Sequence, residues 1–310
     1  VLLTPLAVRL ATDHLALVGL PDRTPAPPAR SASSAGQPRA GTNTPAAAPE
    51  PAPIDSPGFA PGACIALAPL HGNRHRTVFL DAGHGGPDPG AVGTTTTGRT
   101  VAEKELTLPV ALRTARLLRE VGYRVVLSRT RDSTVARLGP GEPEPGMLSV
   151  EQVHADHTAR ARCANLARAA VLVSIHFNAF DDPGEGGTNT VYDPSRPFAA
   201  DNQRLATALQ RDIVAALAGH GMRVNDRGID SDEGTGGPAL SEQGASYGHL
   251  IILGPPAPGY VAEPTGMPGA LVEPLFVTNP AEAAFAADPP GQQAIADGIV
   301  RAVAEFDQGR

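Results

Sequence analysis

The stretch Ala170-Val171-Leu172-Val173-Ser174-Ile175, with His176 directly behind it, decides how the rest of the chain is read. Its apolar residues run without polar alternation until Ser174, which marks a strand covered on both faces. Such a strand sits inside a sheet, and parallel neighbours require crossover helices. The flanking sequence supplies both. Thr77-Val78-Phe79-Leu80 reads as a second buried strand that runs into the glycine-rich turn Asp81-Ala82-Gly83-His84-Gly85-Gly86. From Glu103 to Glu120 the pattern is helical, with Leu106, Val110, Leu117 and Val121 on one broad face and Arg113, Arg116 and Arg119 toward solvent. Gly122 ends that helix, and Tyr123 to Ser128 form the next strand. Further helices are expected over 159–169, 201–219 and 289–306, and a last strand over Gly269 to Glu273. This alternation predicts the α/β class: a single domain with a largely parallel mixed sheet and helices on both faces.

Outside that pattern the chain changes character. Its 32 prolines and 34 glycines, in 310 residues, are concentrated toward the N-terminus. Residues 21–75 therefore read as a disordered Pro/Ala-rich linker, typified by Thr24-Pro25-Ala26-Pro27-Pro28, with too little apolar bulk to offset the cost of ordering. Residues 1–20 form an N-terminal segment of unclear role, and residues 76–308 hold the folded domain. Within it, 133–156 reads as an inserted loop and 226–268 as a long Gly/Pro-rich stretch.

Charge and composition exclude several functions. The net charge is −7 with no lysine/arginine cluster, which argues against a nucleic-acid partner. No run of ~20 apolar residues is present, so no transmembrane helix is expected. The first twenty residues are interrupted by Pro5, Arg9, Asp13 and His14, and no export signal is legible there. Cys64 and Cys163 are too few for a disulfide framework. They read as two buried thiols, with one bridge left open if the protein is exported.

The chemistry lies at the strand ends. His84 follows the first strand, His176 follows Ile175 and Glu273 follows Val272, while Glu103 opens the helix after the first strand. Ligands of open α/β sheets bind beyond the carboxyl ends of the strands, so groups far apart in sequence meet there. Two histidines and a carboxylate form a familiar catalytic zinc set, and a second carboxylate can move the proton of a water. Singly, each has a plainer reading: His84 as a turn residue, His176 as a core histidine with a partner, Glu103 as a first-turn acid and Glu273 as a structural carboxylate. His154 and His157 read as a solvated, incidental pair within the inserted loop, and His71, His75 and His249 receive no role. Asn178 and Asn279 flank the strand ends, where orienting and purely structural roles are equally open. The glycine turn lacks the Lys-Ser/Thr of a phosphate loop, so nucleotide binding is a poor reading.

Four blocks occur in order: Asp81-Ala82-Gly83-His84-Gly85-Gly86, Glu103-Lys104-Glu105-Leu106, Ser174-Ile175-His176-Phe177-Asn178-Ala179, and Leu271-Val272-Glu273-Pro274-Leu275-Phe276-Val277-Thr278-Asn279. Together they resemble the signature blocks of the zinc-dependent N-acetylmuramoyl-L-alanine amidases of the type 3 family. Leu127-Ser128-Arg129-Thr130-Arg131-Asp132 and the run from Arg160 to Asn165 resemble two further family stretches. The resemblance implies one Zn2+ ion held by His84, Glu103 and His176, with Glu273 as the catalytic carboxylate. It implies hydrolysis of the amide between N-acetylmuramic acid and L-alanine, on peptidoglycan glycan strands with stem peptides, during wall remodelling, division or lysis. The place of action would be outside the cytoplasmic membrane, with any activating protein unidentified. Two departures stand out: Ala82 replaces the family's usual proline, and Glu273-Pro274-Leu275-Phe276 lacks its usual glycine. The two inserted stretches are expected to wall, cover or gate the groove. A different muropeptide amide, or a catalytically silent wall-binding module, remain the alternative readings.

Overall fold

The computed structural model describes residues 50–54, 56–139, 148–233 and 241–309. In chain order its elements are β1 (Ala52–Pro53), β2 (Ala63–Leu67), β3 (Thr77–Ala82), β4 (Val92–Thr94), β5 (Thr100–Ala102), α1 (Glu103–Glu120), β6 (Arg124–Arg129) and α2 (Val150–Leu166). They continue with β7 (Val171–Ile175), β8 (Thr188–Tyr192), α3 (Ala199–Gly219), β9 (Asp226–Ser231), α4 (Glu242–Tyr247), β10 (Gly269–Glu273), α5 (Pro280–Ala287) and α6 (Pro289–Gln308). One sheet runs in the order β1-β2-β6-β3-β7-β10-β8-β9, and β4 and β5 form a separate hairpin.

The four central strands, β6, β3, β7 and β10, are parallel. Antiparallel strands bracket them, β2 beside β6 and β8 beside β10. The sheet is thus mixed with a parallel centre. Side chains alternate across it with the period of two that a strand imposes. Val78 and Leu80 of β3 face a core shared with α1, α3 and α6, built from Leu106, Val110, Leu205, Leu209, Ile295 and Ile299. Phe79 and Leu172 face the other way, onto Ala159, Cys163 and Ala164 of α2 and onto Ile252 and Leu253. The expected helices on both faces are present.

Four expectations need correction. The ordered domain does not begin at residue 76. β2 pairs with β6 through Ala63↔Arg129 and Leu67↔Val125, so residues 63–67 of the expected linker are a strand of the main sheet. Ala63-Cys64-Ile65-Ala66-Leu67 is apolar enough to cover a sheet edge, a signal hidden beneath the proline content of its surroundings. The remainder of the expected linker up to residue 49, and residues 1–20, lie outside the described residues.

The cysteines are not thiols. Cys64 of β2 and Cys163 of α2 form a disulfide with a Cα–Cα distance of 5.6 Å, across a sequence separation of 99.

The inserted loop is shorter than expected, because α2 starts at Val150. Ser149 caps it, its Oγ accepting the Gln152 N–H while the Gln152 side chain accepts the Ser149 N–H. The stretch 226–268 contains β9 and α4, and Thr188–Tyr192 is a strand that the sequence pattern did not announce. β8 carries Thr188, Asn189 and Thr190 in buried positions, where their side chains donate to the Pro274 carbonyl, Asp230 and Gln210 respectively, so its polar composition hid its burial.

The bridge joins β2 to a helix on the same face and restrains the unfolded chain over a long loop. Reducing it, or replacing Cys64 and Cys163 with serine, should lower the unfolding free energy by about 2–5 kcal/mol. The check is the urea midpoint with and without reductant; an unchanged midpoint would show that the bridge restrains nothing.

Candidate active site

Strand register brings the site together. Ala82 of β3 lies beside Ile175 of β7, and Ile175 beside Val272 of β10. Three carboxyl ends are therefore level. His84 stands two residues beyond its strand-level residue, while His176 and Glu273 stand one beyond. Glu103, the first residue of α1, reaches the same point because the β4–β5 hairpin delivers the chain there: its backbone N–H donates to the Ala91 carbonyl.

His84, Glu103 and His176 offer ligating atoms that all lie within 4.8 Å of one another. His84 Nε2 is 3.1 Å from Glu103 Oε2, and His176 Nδ1 is 3.1 Å from Glu103 Oε1. Glu103 is 3 % exposed and fixed from behind, Oε1 accepting the Phe177 N–H at 2.9 Å and Oε2 the Ala91 N–H at 3.0 Å. His84 Nδ1 lies 2.8 Å from Asp88 Oδ2, which leaves Nε2 to face the cluster. A histidine held through one ring nitrogen by a carboxylate and presenting the other is the usual arrangement around a bound metal. Asp88 was not singled out from the sequence, although its spacing of four from His84 inside the glycine turn was the available signal.

Close packing leaves these side chains little freedom. A Cβ at Gly83 would lie 2.5 Å from His176 Cε1, and one at Gly90 would lie 2.6 Å from His84 Cδ2 and 2.7 Å from Glu103 Oε2. Both positions must be glycine for the rings and the carboxylate to sit where they do.

The electrostatics fit a cation. Burial opposes charge on His84, yet the Glu103 and Asp88 carboxylates raise its pKa to about 10. Burial likewise opposes charge on Glu103, and the two histidines overcome it and hold its carboxyl well below the usual range. The carboxylates thus draw positive charge to the point where a bound metal ion would supply it. The donor set of two imidazoles and one carboxylate matches a three-ligand catalytic site.

Glu273 belongs to the same place but not to the same cluster. Its Oε2 is buried and has no hydrogen-bond partner among the described residues. Burial first, and then the negative charge of Glu103, raise its pKa well above the ordinary carboxylate value. These groups open into a cleft of about 330 Å³ whose far walls are Val153 and His157 of α2 together with Leu250 and Ile252. His157 is thus half-buried in the cleft wall rather than solvated, and burial lowers its pKa to about 4. His154 instead bonds the Tyr260 carbonyl with Nε2 at 2.8 Å. Both inserted stretches contribute walls. A larger cavity of about 490 Å³ lies by Thr77 and Arg124, at the amino ends of the parallel strands, and gathers no cluster of ligating groups.

A buried ionic network holds the His84 turn. Arg160 donates to Asp81 Oδ1 at 2.7 Å, to the carbonyls of Ala82 and His84 at 2.8 Å, and to Asp156 Oδ2. Arg129, fully buried, donates to the carbonyls of Ala82, Gly83 and Lys104. These clasps hold His84 at φ +58°, a conformation that a non-glycine residue adopts only when its surroundings enforce it. At Ala82, where proline is usual among the amidases resembled, the backbone N–H donates to Ser128 Oγ at 3.0 Å, a bond that proline cannot make. Leu275, in place of the usual glycine, is fully buried in the core.

The model of the N-acetylmuramoyl-L-alanine amidase family matches residues 78–305, which takes in every strand end just described. The chain belongs to that family. Hydrolysis of the amide is accordingly its activity class. Among similar proteins is the germination-specific N-acetylmuramoyl-L-alanine amidase of Bacillus subtilis, 28 % identical over 77 % of this chain and 81 % of that protein. The amidase LytC of the same organism is 30 % identical over 67 % of this chain, a match that spans 30 % of LytC. The crystal structure of an N-acetylmuramoyl-L-alanine amidase from Clostridium difficile 630 superposes with a TM-score of 0.53 at 28 % identity, covering 76 % of this chain and 98 % of that one.

Among the family-like stretches, Asp132 accepts the Gly86 N–H at 2.7 Å and pairs with Lys104 at 2.9 Å, so it too braces the turn. Asn165 ties α2 to the Pro264 carbonyl and the Gly266 N–H. Asn279 caps α5, and Asn178 accepts the Ala179 N–H, so both contacts are made to backbone.

Replacing Asp81 with asparagine breaks a buried ion pair on one side and should destabilise the fold by about 3–5 kcal/mol. Burial works against the Asp81 charge, but Arg160, His176 and Ser174 hold its pKa far below the ordinary aspartate value of 3.8. Its contribution is therefore complete above that value and is lost as the pH falls below it. Urea unfolding between pH 3 and pH 7, on wild type and D81N, should show the two curves converging toward the acid end, as roughly expected from the linkage.

Proposed function

We propose that this cleft cleaves the N-acetylmuramoyl–L-alanine amide of peptidoglycan with a single zinc ion held by His84, Glu103 and His176, and with Glu273 moving the proton. The observation that carries the reading is the buried, unpartnered Oε2 of Glu273 beside a ready-made set of three ligands. An orphaned carboxylate oxygen is costly to bury and is retained where it has a reacting group to meet.

A zinc ion bound there supplies Lewis acidity toward the scissile carbonyl and toward a water. The protein does the rest. Asp88 fixes the His84 ring so that Nε2 stays available, and the Phe177 and Ala91 amides orient the Glu103 carboxylate. Glu273 accepts the proton of the attacking water and delivers it to the departing L-alanine nitrogen, so that carboxyl and leaving amine end neutral and the amide C–N bond is broken. Its raised pKa suits a group that must hold a proton between the two transfers. The apolar walls from Val153, Leu250 and Ile252 keep solvent from that exchange.

The substrate places the work outside the cytoplasmic membrane. The Cys64–Cys163 bridge supports this, since such bonds persist in oxidising compartments. No described helix is long and apolar enough to cross a membrane.

Replacing Glu273 with glutamine should leave zinc content unchanged while stem-peptide release from purified sacculi falls about 10²–10⁴-fold. Loss of zinc together with activity would assign Glu273 to the ligand set instead. Replacing Asp88 with asparagine should weaken zinc binding about 10–100-fold, measured by competition with a chromogenic chelator, because the His84 ring loses its support.

A further inference from the structure

Away from the cleft, a second group of ligating side chains converges: Asp193, Asp232 and His249. Asp193 follows β8 and Asp232 follows β9, two strands that run parallel to each other, so both carboxylates emerge at one sheet edge. It is not the edge of the cleft. β8 is antiparallel to β10, with Asn189 opposite Glu273, and Asp193 lies four residues further along, about 13 Å at the rise of a strand. His249 comes to the same point from the segment that follows α4.

The three side chains are arranged as ligands are. His249 Nδ1 lies 3.0 Å from Asp193 Oδ2 and 3.2 Å from Asp232 Oδ1. Four-coordinate zinc, with bonds of about 2.0–2.1 Å, sets its ligand atoms about 3.3 Å apart. The second oxygen of each carboxylate is occupied elsewhere. Asp193 Oδ1 accepts the N–H and hydroxyl of Ser195, both at 2.6 Å, and Asp232 Oδ2 accepts the Leu250 N–H at 3.1 Å. Those bonds orient the remaining oxygens toward one another and toward the ring, as outer partners do around a metal.

One atom requires more than a hydrogen-bonded triad. A ring nitrogen carries at most one hydrogen, so His249 Nδ1 cannot serve both carboxylates at once. Asp193 is fully buried, and its Oδ2, with no satisfied hydrogen bond of its own, faces the His249 ring and the Asp232 carboxyl. Among the described residues the ring of His249 lies within ion-pair distance of Asp193. Arg196, close by in sequence, directs its terminal nitrogens to the carbonyls of Leu253, Gly254 and Thr265, while its buried Nε has no partner among the described residues. A buried carboxylate oxygen aimed into the cluster beside a second carboxylate is costly unless a cation completes the site.

We propose that Asp193, Asp232 and His249 bind a second divalent cation, of the zinc class, in a structural site separate from the cleft. One imidazole nitrogen and two carboxylate oxygens suit zinc better than calcium or magnesium, which favour all-oxygen shells. The ion would pin the segment after α4 to the ends of β8 and β9. Leu250 and Ile252, directly after His249, wall the cleft, so this second site fixes one wall of the first. The inference stands independently of the mechanism assigned to Glu273.

Elemental analysis of the full chain, loaded with zinc and then gel-filtered, tests it. Wild type should carry about two ions per chain, and H84A/H176A should retain about one. D193N/H249A should also retain about one, and the fourfold variant none. Zinc should raise the melting temperature of H84A/H176A and leave that of the fourfold variant unmoved. A folded H84A/H176A that holds no zinc and gains no stability from it overturns the proposal, whether or not D193N/H249A folds. Equal zinc in wild type and H84A/H176A would instead count against the cleft ligands, so the two failures are distinguishable.

Discussion

The structure depends on one buried ionic contact, that of Arg160 with Asp81 and Asp156. Asp81 is 1 % exposed and sits in the last residues of a strand covered on both faces. There its charge is tolerable only with a guanidinium against it. Arg160 meets that need from α2, and with its remaining hydrogens it holds the carbonyls of Ala82 and His84. The same side chain thus neutralises a buried charge and fixes the turn that presents a ligand. Asp156 completes the arrangement by accepting the Val135 and Ala136 amides, which anchors the chain on its way into the inserted segment.

Around that contact the fold divides its labour. The face carrying α1, α3 and α6 is a conventional apolar layer, and it fixes the sheet on which strand register is set. The opposite face carries α2, the disulfide and the segment around Leu253, and it contributes the walls of the cleft. The candidate ligands and Glu273 therefore stand at strand ends and at the start of α1, while groups that line the opposite side of the cleft stand on the more irregular face. Precision is needed for ligands and tolerance for walls, which is the usual division on α/β sheets.

Much of this was legible beforehand, and the reasons differ by element. β3, β7 and β10 announced themselves because strands buried on both faces must be continuously apolar. β8 did not, because Thr188, Asn189 and Thr190 are buried through hydrogen bonds to the Pro274 carbonyl, Asp230 and Gln210, partners that no local pattern reveals. β2 was hidden by proline-rich neighbours. Helix α2 was shortened in the reading because its first turns are polar, although the Ser149–Gln152 capping pair was there to be found. Arg129 and Arg160 act through other residues, and such roles have no signature in spacing alone.

The sequence by itself determined the class of the fold and marked His84, His176 and Glu273 as groups behind apolar runs, since apolar runs and the groups that terminate them are local properties. Resemblance of its ordered blocks to the amidases added the family. Tertiary structure alone decided the rest. It paired Cys64 with Cys163, placed His157 in the cleft wall, left Glu273 Oε2 without a partner and brought Asp193, Asp232 and His249 to one point. Each of these depends on distances between segments far apart in the chain, and such distances are set by the packing of the whole sheet and its two layers rather than by any single stretch of residues.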